Sequence, residues 1–280
     1  MLVNLNAVLK NADEEKYAIG GFNITTLESA LAIIEAAEEE KSPVILQISE
    51  KTIDYMGLDV AFAIAKTLAD RSPIPVVIHF DHGRNFVLVE QALKTGFSSV
   101  MLDVSKMERD KRIPFVKDFT AHARKFGVSV EAEEDQIGGR EDYVEGDRSH
   151  FTDPKRAAIF VKETGIDAFA ISIGSSHGKP LPHEKLDLDL LTRINKAVPA
   201  PLVLHGASST NEKIIREAIS LGVCKINIDT DLRLAFTREL RRTLKDPDIY
   251  DPREELKPSR DEIHEEVRKH IRLFGSDNKA

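Results

Sequence analysis

The chain alternates short β-branched runs with longer amphipathic runs, and it does so eight times. The first four pairs are Ala18–Asn23 with Leu27–Glu40, Pro43–Ile48 with Asp59–Ala69, Ile74–Phe80 with Phe86–Lys94, and Ser98–Val104 with Ile113–Phe126. The last four are Val128–Glu133 with Pro154–Glu163, Ala168–Ile173 with Leu188–Lys196, Pro201–Leu204 with Glu212–Ser220, and Cys224–Ile228 with Asp231–Leu244. Strands that return through helices form a parallel sheet. Runs such as Ile74-Pro75-Val76-Val77-Ile78 show no polar alternation, as expected of strands buried on both faces. Eight units predict an α/β chain closed into a (β/α)8 TIM barrel rather than an open doubly wound sheet. No GxGxxG follows the first strand, so the dinucleotide-binding form of the open sheet loses its support. Barrels commonly run long as one domain, and residues 1–280 are read as one. A C-terminal helical extension follows: charged Asp246–Pro258 leads into a predicted helix, Arg260–Leu273, stopped by Gly275. Polar, Gly-containing Gly138–Asp153 is the predicted long active-site loop.

Charge and composition narrow the partners. A formal net charge of -8 argues against nonspecific nucleic-acid binding. It leaves phosphate ligands open, because backbone amides and helix termini bind anions locally. Cys224 is the single cysteine, so no internal disulfide forms, which fits a reducing compartment. The N-terminus lacks the basic segment and apolar run of a signal peptide, and no apolar stretch approaches the ~20 residues that span a bilayer. The expectation is a soluble cytoplasmic protein with no membrane partner.

Reactive groups on a barrel sit at the C-terminal ends of its strands. Three of the nine histidines fall there, each followed by glycine: His82 in His79-Phe80-Asp81-His82-Gly83, His177 in Gly174-Ser175-Ser176-His177-Gly178, and His205 in Leu204-His205-Gly206-Ala207-Ser208. Three neutral imidazoles and an open position suit a catalytic Zn2+, which then polarises a carbonyl as a Lewis acid. Any one of them alone reads as a structural histidine; the three together read as a metal site. His122, His264 and His270 fall on predicted helices, and His79 reads as core. Asp81 precedes a proposed ligand and reads as an imidazole anchor or a proton carrier. Glu131 and Glu133 share one face of strand five, and a carboxylate buried in a barrel needs a cation or a donor. Glu141 and Asp142 lie on the following loop, exposed or catalytic. Gly206-Ala207-Ser208-Ser209 and Asn227-Ile228-Asp229-Thr230-Asp231, after strands seven and eight, form a candidate phosphate site. Asp229, Thr230 and Asp231 also read as capping residues of the next helix. Asn23 and Gln47-Ile48-Ser49 form a third polar cluster at the exits of strands one and two.

These stretches, with Gly21-Phe22-Asn23, Val130-Glu131-Ala132-Glu133 and Lys225-Ile226-Asn227-Ile228-Asp229-Thr230-Asp231, resemble the class II, zinc-dependent ketose-bisphosphate aldolases over essentially the whole chain. The resemblance implies one Zn2+ on His82, His177 and His205, with Glu133 contacting the metal in alternative positions. It implies Asp81 as the acid/base at the C4 hydroxyl and Glu141 as a mobile-loop carboxylate that protonates the enediolate of dihydroxyacetone phosphate. Gly178, Gly206, Ser208, Asn227 and Thr230 would hold the phosphate, and Asn23, Ser49 and Asp229 would face the substrate. A sugar bisphosphate substrate, a monovalent cation (K+ or Na+) near the phosphate and a homodimer or homotetramer are implied as well. The chain departs from the family at Glu134-Asp135, where Leu-Gly is usual, and at Lys179-Pro180-Leu181, where an aromatic residue and a lysine are common.

Fructose 1,6-bisphosphate is the leading substrate, with tagatose 1,6-bisphosphate and a phosphorylated deoxy-keto acid as competitors. A Schiff-base aldolase would need a lysine inside the barrel near its catalytic end; Lys225 is read at the opposite end. A zinc hydrolase on a TIM barrel would share the histidines without needing the phosphate loops. A noncatalytic sugar-phosphate sensor would not need Asp81 beside all three histidines.

Overall fold

A computed structural model describes residues 1–146, 151–178, 185–208 and 210–280. In chain order the elements begin with α1 Leu5–Glu15, β1 Ile19–Asn23, α2 Leu27–Glu39, β2 Val44–Ser49, α3 Glu50–Met56, α4 Leu58–Arg71, β3 Val76–Gly83 and α5 Phe86–Thr95. Next come β4 Ser99–Asp103, α6 Arg109–Ala123, β5 Ser129–Glu133, β6 Gly138–Glu141, β7 Val144–Gly146, α7 Pro154–Thr164, β8 Ala168–Ile171 and β9 Ser176–His177. The chain closes with α8 Leu188–Ala197, β10 Leu202–Leu204, α9 Glu212–Ser220, β11 Val223–Ile228, α10 Thr230–Thr243 and α11 Pro252–Phe274.

Eight parallel strands close in the order β1-β11-β10-β8-β5-β4-β3-β2, so the predicted barrel is the observed one. Alternate residues along each strand face outward into the helix layer: Val44, Leu46 and Ile48 of β2 join one large apolar cluster with Ile33, Ala61 and Ala65 from the surrounding helices. The inward positions change character along the strand. At the N-terminal ends Ile45, Val77, Met101 and Val203 form a separate apolar cluster with Leu5, Leu9 and Ala12 of α1, which plugs the barrel floor. Two residues further on, the same inward rows become Gln47, His79, Asp103 and His205. The mouth is therefore polar because of where the polar residues fall in the strand period.

Several elements differ from expectation. Helices α1 and α3 were not anticipated, and α11 begins at Pro252 rather than Arg260. Asp251 caps α11 by accepting from the Arg253 amide, and a proline at the first position is tolerated because its amide would be unpaired there anyway. Helices α6 and α11 continue through Pro114 and Pro258. Burial of one face, by Val116 and Thr120 in α6 and by Ile263, Val267 and Ile271 in α11, outweighs the lost amide bond. The predicted loop contains the β6–β7 hairpin, and β6 also pairs with β9. The unusual Glu134-Asp135 pair is ordered by Arg156, which reaches Glu134 Oε1 at 3.2 Å and Asp135 Oδ1 at 2.8 Å. Lys179-Pro180-Leu181, Ser209 and part of Gly138–Asp153 lie outside the described residues. Among the described residues no helix is long and apolar enough to cross a membrane.

Candidate active site and metal centre

Strand β3 supplies two adjacent functional side chains, which simple alternation forbids. Phe80 pairs with Val100 of β4, but the next pair is Gly83 with Leu102, so three steps on β3 match two on β4. His82 occupies this irregularity at φ 49°, in the left-handed region. The bulge re-aims its ring toward the same side as Asp81, as bulges beside active sites do. Gly83 has to be glycine, because a Cβ there would lie 2.6 Å from the Met101 carbonyl oxygen. Gly206, at φ 63°, lets the chain after β10 pass against the backbone of Ser176; a Cβ would come within 2.4 Å of it. That contact joins the His205 loop to β9, which carries His177.

The three histidines converge. One nitrogen from each of His82, His177 and His205 lies within 4.8 Å of the others. His82 Nε2 is 3.0 Å from His205 Nδ1, and the His82 and His177 rings stand edge to face, 4.9 Å between centroids. Burial, followed by the charges of His82 and Lys225, holds His205 well below the usual imidazole range. Burial likewise lowers His82 and His177. Neutral imidazole is the form that binds a metal. A second overlapping group comprises His82, Asp103 and Glu133. Buried His82 Nδ1 and Glu133 Oε2 have no hydrogen-bond partner among the described residues and lie 3.7 Å apart. A cation between them would satisfy both, so this donor set fits a divalent ion such as Zn2+. Burial and the neighbouring Asp103 push the Glu133 carboxyl well above its usual range, as expected of a carboxylate waiting for a positive partner.

Asp81 is anchored from two sides. Asn23 Nδ2 donates to its Oδ2 at 2.8 Å, and Asn227 Nδ2 approaches its Oδ1 at 3.5 Å. Gln47 Nε2 donates to Asn23 Oδ1 at 3.0 Å and so fixes which end of Asn23 faces the carboxylate. Burial pushes the Asp81 carboxyl up, but His82, His205, Lys225 and the Asn23 bond together bring it below its ordinary value. The histidines help only when protonated, which burial disfavours; Lys225 and Asn23 are the lasting supports.

The remaining expected residues fall around this centre. Ser208 Oγ accepts from the Asp231 amide at the start of α10, which brings the candidate phosphate loops together. Thr230 opens α10, and Gly178 lies one residue beyond β9. Asp229 stands at the capping position but makes no capping bond. Its carboxylate instead accepts from Arg233 Nε at 2.7 Å, so the capping expectation fails for this residue. Arg233 also reaches Asp142, which accepts from Ser49 Oγ at 2.5 Å. Asp142 and Tyr143 border a space of only about 20 Å³ beside Asp81 and His82. A cavity of about 340 Å³ opens past Asn23 and Asp142 toward Leu232, Phe236 and Ile263. Glu141 ends β6, whose Gly139 pairs with His177; the Glu141 side chain is outside the described residues.

Sequence reasoning missed Asp103, Arg84 and Arg233. Arg84 Nε donates to Asp103 Oδ2 at 2.5 Å, and Arg84 with His82 keeps Asp103 below its ordinary range against the opposing push of burial. A carboxylate closing the apolar run Val100-Met101-Leu102-Asp103 at a strand exit was the available signal. Lys225 stands near the start of its strand, β11, as expected, but was wrongly expected to stay away from the site. Its fully buried side chain extends up the barrel to donate to Asn227 Oδ1 at 2.7 Å.

Comparison with known proteins agrees with this geometry. Residues 3–279 match the family described as fructose-bisphosphate aldolase class-II. A fructose-bisphosphate aldolase of Thermus caldophilus is 41% identical, with 100% of both chains covered. A 6-phospho-5-dehydro-2-deoxy-D-gluconate aldolase of Bacillus subtilis (strain 168) is also 41% identical, over 99% of this chain and 97% of the relative. The crystal structure of the YdjI aldolase from Escherichia coli K12 superposes with a TM-score of 0.90 at 33% identity, covering 100% of each chain. A barrel whose mouth gathers three imidazoles, and a family match along its whole length, place this chain in the class II fructose-bisphosphate aldolase family.

Proposed function

We propose that the chain reversibly cleaves fructose 1,6-bisphosphate to dihydroxyacetone phosphate and glyceraldehyde 3-phosphate, with one Zn2+ per subunit on His82, His177 and His205. The observation that carries this reading is the junction of the imidazole cluster with Asp81: Asn227 Nδ2 lies 3.5 Å from Asp81 and 3.3 Å from the His205 ring nitrogens. A proton acceptor and an electrophile then border the same small space. Asp81, with its carboxyl below the ordinary range, takes the C4 hydroxyl proton. The oxygen's electron pair forms the aldehyde carbonyl as C3–C4 breaks, and the bonding pair stays on the three-carbon fragment. When bound, the cation supplies Lewis-acid stabilisation of that negative charge. Glu141, on the hairpin strand paired with His177, returns a proton to the fragment.

Gly178, Gly206, Ser208, Asn227 and Thr230 hold the phosphate of that fragment, with K+ or Na+ beside it. Asn23, Ser49 and Asp229 face the rest of the sugar, and Glu133 is an alternative metal contact near His82. The working protein is a cytoplasmic homodimer or homotetramer. A second substrate, 6-phospho-5-dehydro-2-deoxy-D-gluconate, is favoured by one observation: the Bacillus subtilis relative bearing that name is as similar as the Thermus enzyme.

The test is a coupled cleavage assay on fructose 1,6-bisphosphate, tagatose 1,6-bisphosphate and the deoxy-gluconate at equal concentrations, with and without chelator. The expected result is the highest kcat/KM on fructose 1,6-bisphosphate, abolished by chelator and restored by Zn2+. A higher value on either competitor reassigns the substrate. Cleavage that survives complete metal removal overturns the metal-dependent reading.

A further inference from the structure

Beneath the imidazole cluster lies a layer of charge that the cleavage steps do not use. Glu131 and Lys225 are both fully buried, and Glu131 Oε2 is 2.9 Å from Lys225 Nζ. Glu131 Oε1 is 2.9 Å from His205 Nε2. Lys225 Nζ donates to Asn227 Oδ1 at 2.7 Å, and Asn227 Nδ2 then faces Asp81 and the His205 ring. Removing two charges from water is costly, and a buried ion pair is weak support for stability alone. Its place directly under two functional groups calls for another explanation.

We propose that Lys225 is a positioning residue that acts on both halves of the machinery, through Glu131 on His205 and through Asn227 on Asp81. An ammonium only donates, and an ionised carboxylate only accepts. With Lys225 on one oxygen, the other oxygen of Glu131 accepts a hydrogen bond from His205 Nε2–H. That fixes the tautomer, leaving His205 Nδ1 as the lone pair aimed toward His82. A carboxylate behind a metal-binding imidazole is a known way of setting ring orientation. On the other branch, the ammonium can meet only the oxygen of the Asn227 amide. The NH2 end of Asn227 is thereby turned to the Asp81 carboxylate, which needs a donor. His79 closes the layer, with Nδ1 2.8 Å from Ser99 Oγ and Nε2 3.6 Å from Glu131. With its ammonium engaged by a carboxylate and an amide oxygen, Lys225 is an orienting group and not a Schiff-base nucleophile.

The proposal rests on His205 being a metal ligand, so the experiment separates the two ideas. Nitrogen-15 NMR of histidine-labelled wild-type protein, with His205 assigned through His205→Gln, reports the tautomer without requiring a Lys225 or Glu131 variant to fold. The expected state is Nε2–H with a bare Nδ1 in the metal-free protein. A proton on Nδ1 overturns the proposal. The double variant Lys225→Met/Glu131→Gln removes both charges together. In folded protein, Co2+ affinity should fall by about 10–100-fold, the visible Co2+ spectrum should shift, and kcat should fall more than KM changes. Unchanged affinity and spectrum in folded double variant would refute the positioning role. Borohydride trapping of substrate on Lys225 would also refute it. Wild-type Co2+ affinity in His205→Ala would instead refute the ligand assignment itself.

Discussion

The two ends of this barrel are built from the same eight strands by opposite rules. At the floor, the apolar side chains Leu5, Leu9 and Ala12 of α1 close over Ile45, Val77 and Met101. At the mouth, the continuation of the same inward rows buries Asp81, Asp103, Glu131, Glu133 and His205. Apolar burial at the floor stabilises the fold without needing specific partners. Each buried polar group at the mouth needs a donor, an acceptor or a cation, and His82 Nδ1 and Glu133 Oε2 have no hydrogen-bond partner among the described residues. One end holds the strands together so that the other can carry groups that destabilise it. Substitutions at the two ends should therefore separate stability from activity.

The largest expected effect is at the mouth. Asp81→Asn should lower kcat by roughly 10²–10⁴-fold, the usual range for removing an acid/base group. Its thermal midpoint should fall modestly, and by less than at the floor, because Asn23 and Asn227 both present donors there and the new amide NH2 must face one of them. A variant with full kcat would remove Asp81 from the chemistry. At the floor, Leu9→Ala should cost about 2–5 kcal/mol in urea unfolding, the range for a fully buried leucine. The kcat of the folded fraction should not change. A fall in kcat matching the stability loss would show that floor and mouth are coupled.

The smallest effect lies outside both ends, on the wall where α11 meets the end of α2. Glu40 accepts from Arg272 and Arg268 of α11. The Arg272 bond depresses its carboxyl, against the upward push of burial and with help from Arg268. A depressed folded-state value means the contribution is present above the unfolded carboxylate range and is lost as pH falls through the folded value. Wild-type and Glu40→Gln unfolding midpoints should differ slightly at neutral pH and converge in acid, with kcat unaffected. A gap that widens in acid would show that another group controls this wall.

Parts of this division were legible in the sequence. The eight-fold alternation gave the barrel, because a strand buried on both faces and an amphipathic helix leave different periodicities. The His-Gly steps marked three strand exits, and the structure gathers all three. Asp103 was marked only by its place at the end of an apolar run, a signal with no spacing signature to single it out. Helix α1 was overlooked because its apolar face covers the bottom of the barrel, a surface that exists only after closure. The expected cap at Asp229 was displaced by Arg233, whose guanidinium meets that carboxylate and Asp142 from another loop.

The sequence alone determined which residues share a strand face and which side chains can bind a metal or carry a proton. Those properties depend on residue type and on neighbours a few positions away. Tertiary structure alone decided that His82 turns inward at a bulge, that Asp103 stands behind it, and that Lys225 reaches Glu131 across the barrel. Buried charges are fixed by partners distant along the chain, and closing the sheet brings those partners within hydrogen-bonding reach.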